Sequence, residues 1–139
     1  MDGVVSGAIS SQYQKSRIDS ICEKLNLESI TPLWGEAPLR LLEEVINLDF
    51  KVIVVGVYAY GFDESWLGRR IDPSALSDLI KLNKKYKISL VGEGGEYETL
   101  VLDAPIFRKR LKLLEVEKVW ESHRHSGYLL VKSAKLVDK

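Results

Sequence analysis

Apolar residues change their spacing several times along the chain, and each change predicts an element. After the run GVVSGAIS, residues 3–10, where small residues interrupt the apolar ones, Ile18, Ile21, Cys22 and Leu25 recur three and four positions apart. That spacing lines up one face of a helix and predicts one from Ser10 or Ser11 to Leu25, with those four side chains turned inward. A strand therefore feeds a helix. LESITPLWG, residues 27–35, reads as a short extended piece, and Gly35 with Pro38 marks the start of a second helix that turns Leu41, Leu42, Val45 and Ile46 inward.

FKVIVVGVYAY, Phe50 to Tyr60, is nearly continuous in apolar and β-branched residues, as suits a strand covered on both faces. Strand and helix alternate up to this point, which predicts a parallel α/β layer. Asp72 followed by Pro73 starts a third helix: the carboxylate caps it, and the proline sits where its missing N–H is not needed. Leu76, Leu79 and Ile80 form that helix's inward stripe. The pattern then alternates more loosely in YETLVLDAP, KRLKLLEVEKVW and YLLVKSAKLV, with HRHSG as the turn between the last two. The expected class is α/β: a partial parallel layer over residues 1–48, then an α+β lobe over residues 49–139 that ends in an antiparallel hairpin.

Composition removes several function classes. The 139 residues can bury one sizeable core or two small lobes. Lysine plus arginine equals aspartate plus glutamate at 20 each, so the broad basic surface of a general nucleic-acid binder is absent and any polyanion contact is local. Cys22, the single cysteine, cannot form an internal disulfide; it reads as a small hydrophobe in a reducing cytoplasm. No apolar run approaches the roughly 20 residues of a membrane-spanning helix, and Asp2 follows Met1 in place of a basic leader. The expectation is a soluble, cytoplasmic chain.

Candidate chemistry gathers at three places. SGAISSQYQKSR puts Gly7 and Ala8 where a backbone can approach a ligand, ahead of a helix whose free amides favour a phosphate or carboxylate; it also reads as an ordinary tight turn with a surface arginine, Arg17. EGGEYE surrounds Gly94 and Gly95 with Glu93, Glu96 and Glu98, a poor cradle for phosphate and a better one for a metal ion, an ammonium group or ribose hydroxyls, with Tyr97 as an aromatic face for a cation; a solvated acidic turn is the plain alternative. YGFDESWLGRRID offers Trp66, Arg69 and Arg70 as binding residues, or Trp66 as a core plug with solvated arginines. Trp34 either stacks on a base or packs. His123 and His125 alternate onto one side of a strand, but no third ligand stands near them, so no metal site is assigned. No serine or cysteine triad is evident.

In order, GAISSQYQKSR, PLWG, DESWLGRRID and GEGGEYETLVLDAP resemble the diphthine-ammonia ligase family in its archaeal form, over roughly Gly3 to Pro105. The family belongs to the PP-loop ATP pyrophosphatases, whose nucleotide domain has the HUP architecture. The resemblance implies ATP-dependent amidation of diphthine on elongation factor 2, through an acyl-adenylate that ammonia displaces, with AMP and pyrophosphate released and magnesium accompanying ATP. It places Gly7, Ala8, Ser11, Gln14 and Arg17 toward nucleotide and makes Glu93, Glu96 and Glu98 catalytic. Gly94, Gly95, Tyr97, Trp66, Arg69 and Arg70 would bind substrate. This sequence departs from the family in lacking the SGGKDS-type loop that surrounds pyrophosphate. That departure implies a carboxyl-terminal portion, whether a separate subunit, a truncated piece or a decayed copy, that is unable to turn over ATP alone and whose partner would be a PP-loop chain or another copy of itself. A noncatalytic module binding nucleotide or the elongation factor, and a different PP-loop amidotransferase, remain as alternatives; neither membrane nor direct nucleic-acid contact is expected.

Overall fold

A computed structural model describes residues 2–139. The chain divides into two compact units, Met1–Leu41 and Leu42–Lys139. No helix among the described residues is long and apolar enough to cross a membrane.

In the first unit, strand β1 (Gly3–Val5) leads through a short corner into helix α1 (Gln12–Lys24), which returns to strand β2 (Glu28–Ile30). The two strands run parallel, with Gly3 opposite Glu28 and Val5 opposite Ile30. Ser11 is the helix N-cap, its side chain accepting from the Gln14 N–H at 3.3 Å, which satisfies one of the first-turn donors that lack an intrahelical partner. Asn26, at φ 52°, breaks the helix in the left-handed region that asparagine tolerates. The expected inward face of α1 is corrected here. Cys22 is buried, whereas Ile21 and Leu25 are 56 % and 64 % exposed. A pair of three-residue strands offers too little sheet to cover the whole apolar stripe of a 13-residue helix.

Helix α2 (Pro38–Asn47) starts at its expected proline and buries Leu42, with Val45 and Ile46 against the second unit's core. Strand β3 (Lys51–Val57) follows, then a loop with a 3-10 turn at Glu64–Trp66, helix α3 (Pro73–Tyr86), and strands β4 (Tyr97–Asp103), β5 (Lys109–Glu121) and β6 (Ser126–Asp138). Asp72 caps α3 by accepting from the Ala75 N–H at 2.8 Å, and Pro73 occupies the first turn, as the sequence predicts. Leu79 and Ala75 are fully buried. They pack with Val54, Val57, Phe62, Trp66, Leu67, Ile71 and Tyr97 into one core.

The second sheet has the order β4-β3-β6-β5 and is antiparallel throughout. β3 is buried on both faces, with Val52, Ile53, Val54 and Val57 all in the core, as its continuous apolar run requires. Its expected place in a parallel layer is corrected: burial on two faces does not fix strand direction, and β3 lies between β4 and β6, both of which run against it. The mixed α/β class and the terminal antiparallel hairpin hold. His123 and His125 are also reassigned, from a strand to the β5–β6 turn, where His125 has φ 50°.

Pairing between β3 and β6 is confined to Gly56 with Tyr128 and Val57 with Gly127. β5 and β6, by contrast, pair along their whole length from Lys109–Asp138 to Glu121–Ser126. The outer half of this hairpin is therefore a two-stranded ribbon, its end tied to the end of β4 by Lys139, which bonds Asp103 at 2.7 Å and donates to the Ala104 carbonyl at 2.6 Å.

Candidate functional site

The acidic turn is built backwards from its anchor. Helix α3 is capped by Lys87, and the chain crosses to β4 through Gly92 (φ 68°) and Gly95 (φ 85°), with the Gly95 N–H donating to the Gly92 carbonyl at 2.9 Å. A Cβ at Gly92 would stand 2.6 Å from the Tyr97 carbonyl oxygen, so space and dihedral angle both demand glycine. Gly94 leaves room for the Glu96 carboxylate, which folds back and accepts from the Ser89 N–H at 2.8 Å. The Glu96 main-chain carbonyl accepts from the Tyr58 and Ala59 amides at 2.9 and 3.3 Å. Its Oε2 is buried and has no hydrogen-bond partner among the described residues. Glu96 thus ties the turn to itself and to the end of β3. The Glu93 amide donates to the Ser89 hydroxyl at 3.3 Å, placing this residue half-buried in the same turn.

Tyr97 faces the interior. It is buried, its ring is tilted against Phe62 at 5.7 Å, and its hydroxyl donates to the Leu90 carbonyl at 2.5 Å. Burial holds its phenol well above the ordinary range. The aromatic faces near the acidic turn belong instead to tyrosines that no sequence motif marks.

Gly56 of β3 is paired with Glu98 of β4 on one side and with Tyr128 of β6 on the other. Directly opposite residues in an antiparallel sheet share a face, so Glu98 and Tyr128 flank the bare backbone of Gly56. Tyr58 fills that gap: a Cβ at Gly56 would come 2.7 Å from the Tyr58 hydroxyl oxygen. The Tyr58 hydroxyl donates to Glu98 Oε2 at 3.3 Å. Burial foremost, then the charge of Glu98, pushes the Tyr58 phenol up, with a smaller contribution from Tyr128. Tyr58 and Tyr128 remain 47 % and 43 % exposed. An exposed carboxylate beside two accessible phenol rings suits a cationic ligand, through charge and ring contact together. The signal available in the sequence was the glycine inside an otherwise bulky strand, which marks a close approach.

The loop after β3 brings two candidates together and separates a third. Trp66 is buried edge-on to Phe62 at 5.1 Å. The Arg69 guanidinium lies 4.5 Å from the Trp66 ring and bonds Asp78 at 2.8 Å and the Ser74 hydroxyl at 3.2 Å. Lys81 and then Arg69 hold the Asp78 carboxyl below the usual carboxylate range. A hollow of about 280 Å³ lined by Asp63, Ser65, Trp66, Arg69, Asp78 and Lys81 opens beside them. Arg70 turns to Asp49, at 2.9 Å, which Lys51 also contacts.

In the first unit, Gly7 is exposed, with no atom within 4 Å of the place a Cβ would occupy, and Ala8 is buried. Ser11 and Gln14 meet through the cap. The Arg17 guanidinium lies over the Tyr13 ring at 4.5 Å. Lys15 bonds Asp19 at 2.6 Å and stands 5.6 Å from the half-buried Trp34 ring, while the Gly35 N–H donates to the Ile9 carbonyl at 2.9 Å. Among the described residues no group of three or more His, Cys, Asp or Glu side chains is placed to hold a metal ion.

Residues 37–137 match the family model for the diphthamide synthase C-terminal domain, and residues 1–29 match that for the diphthamide synthase N-terminal domain. The chain is 39 % identical over 134 residues to the diphthine-ammonia ligase of Schizosaccharomyces pombe, covering 96 % of this chain and 22 % of that protein. It is 38 % identical over 123 residues to the diphthine-ammonia ligase of Bos taurus, covering 88 % of this chain and 46 % of the relative. The Homo sapiens diphthine-ammonia ligase is 39 % identical over 112 residues, with 80 % and 42 % covered. The chain thus spans less than half the length of these three relatives, all of them eukaryotic.

Proposed function

The chain belongs to the diphthamide synthase family, and from that premise we propose that it carries the diphthine-facing part of a ligase that amidates diphthine on elongation factor 2, using ATP and ammonia and releasing AMP and pyrophosphate. The observation that supports this reading is the row Glu98, Gly56, Tyr128 across three strands, with Tyr58 folded over its centre. Diphthine bears a quaternary ammonium group. Such a group cannot donate a hydrogen bond, so it is held by charge and by ring faces, the two things this row offers.

Within the acidic turn the three carboxylates take different parts. Glu98, exposed at the row, pairs with the ammonium group or accepts a proton from the incoming ammonia. Glu96 positions the turn through Ser89, Tyr58 and Ala59. Glu93, beside it, completes the acidic rim. Gly94 and Gly95 let substrate approach the backbone, and Trp66, Arg69 and Arg70 serve either the elongation factor or a phosphate. In the first unit Gly7, Ala8, Ser11, Gln14 and Arg17 meet the nucleotide, the exposed Gly7 backbone and the capped helix start being the features that favour an anion. No step is assigned to magnesium. Pyrophosphate departure needs concentrated donors around the leaving group, the part that an SGGKDS-type loop plays in the family.

The test combines this chain with a partner chain bearing such a loop, ATP, ammonia and diphthine-bearing elongation factor 2, and follows AMP release. Replacement of Glu98 by glutamine is expected to lower kcat/KM by about tenfold or more. Tyr58→Leu is expected to raise KM by roughly three- to thirtyfold, the span of one cation–π contact. Unchanged kinetics in both variants would remove the row from the site. A noncatalytic binding module is the second reading; binding of the elongation factor without AMP release in the complete mixture would decide for it.

A further inference from the structure

The outer half of the β5–β6 ribbon takes no part in the site above, and its charges are arranged unlike those nearer the body. Nearer the body, signs are mixed: Lys132 reaches Glu117 at 2.5 Å and Glu115 at 3.9 Å. Toward the end that Lys139 ties to Ala104 and Asp103, Arg110 and Lys112 stand two residues apart on β5, opposite Val137 and Lys135 of β6. All four therefore share one face. Lys112 and Lys135 are directly opposed like charges, a destabilising arrangement, and Arg110, Lys112 and Lys135 have no carboxylate within ion-pair distance among the described residues. A hollow of about 390 Å³ adjoins them, lined by Lys51, Asp103, Arg110 and Lys112; its one carboxylate, Asp103, pairs with Lys139 at 2.7 Å and feels the Arg110 charge more weakly, which leaves the basic groups in excess. In a chain of zero formal net charge this face is locally of one sign.

β5 is also the terminal strand of its sheet, 13 residues long, so the main-chain donors and acceptors along its outer side face no further strand. We propose that this ribbon is a docking arm for an acidic, extended segment of a partner protein, which adds to the β5 edge as a further strand. Alternate side chains of the added strand would fall beside Arg110 and Lys112 on one face and beside Leu111 and Leu113 on the other. Charge on an edge strand also discourages aggregation, but mixed signs serve that purpose, as they do nearer the body, and do not require two lysines to oppose each other. A nucleic acid is the weaker fit, since the basic face carries valine and no aromatic ring on which bases could stack. Docking of this kind is independent of the ligase chemistry.

The test is fluorescence anisotropy of a labelled peptide alternating glutamate and threonine, titrated with the full chain. Saturable binding is expected, weakening as salt rises from about 50 to 200 mM as screening shortens. Lys112→Glu places opposite charges across the strands, so it should raise the thermal midpoint while weakening peptide binding by about tenfold or more; Lys112→Arg should leave binding intact. Lys135→Gln, which only removes the repulsion, gives a milder variant with the same direction in both readouts. Absence of binding, binding indifferent to Lys112→Glu and Lys135→Gln in folded protein, or tighter binding of an oligouridylate of equal charge would overturn the proposal.

Discussion

Two glutamates separated by one residue occupy opposite circumstances. Glu96 is folded into the turn it helps to make, and Glu98 stands exposed against the Tyr58 hydroxyl. Glu96→Gln keeps an acceptor for the Ser89 amide and is expected to leave the melting temperature nearly unchanged. Glu96→Ala strands that amide and should destabilise by about 1–3 kcal/mol, measured by denaturant unfolding. Tyr97→Phe leaves the Leu90 carbonyl without its donor and should cost a similar amount. Because the folded state holds the Tyr97 phenol above its ordinary value, this group stabilises the fold fully below the unfolded phenol's value, near pH 10, and that contribution is lost as pH climbs beyond it. Alkaline unfolding of the wild-type chain should therefore set in above about pH 10, with a shallower slope in Tyr97→Phe.

At the scale of elements, helix α3 was legible almost completely. Asp72, Pro73 and the leucine stripe are local signals, and the cap forms where they place it. Asp72→Ala should cost about 1 kcal/mol, seen as a lowered thermal midpoint. The acid limb has its own marker: the Asp78 carboxyl is held low by Lys81 and Arg69, so its contribution is present above the unfolded value near 3.8 and is lost as pH falls below it. Asp78→Asn should flatten that part of the profile. Strand β3 was legible as a buried strand but not in direction, because direction depends on partners contributed by residues far along the chain, as Gly56 and Glu98 illustrate. For the same reason the Glu98–Tyr58–Tyr128 row was not visible: its members become neighbours only through register. Helix α1 failed differently. Its period correctly announced a helix, yet the number of side chains buried was set by the small strand pair beneath it, and Ile21 and Leu25 stay exposed.

For the whole molecule, the acidic glycine turn marked by the sequence is hydrogen-bonded around Ser89, and the accessible aromatic faces beside it belong to Tyr58 and Tyr128, Tyr97 being buried. The chain belongs to the diphthamide synthase family, and the proposed function assigns that chemistry to diphthine. The chain spans less than half of the relatives compared, so its catalytic competence is best judged in company. The most direct measurement is AMP release from ATP by this chain mixed with an SGGKDS-bearing partner, in the presence and absence of diphthine-bearing elongation factor 2. The account predicts release that depends on the diphthine substrate, accompanies amide formation and falls about tenfold or more with Glu98→Gln; release that ignores the substrate, or is untouched by that substitution, would contradict it.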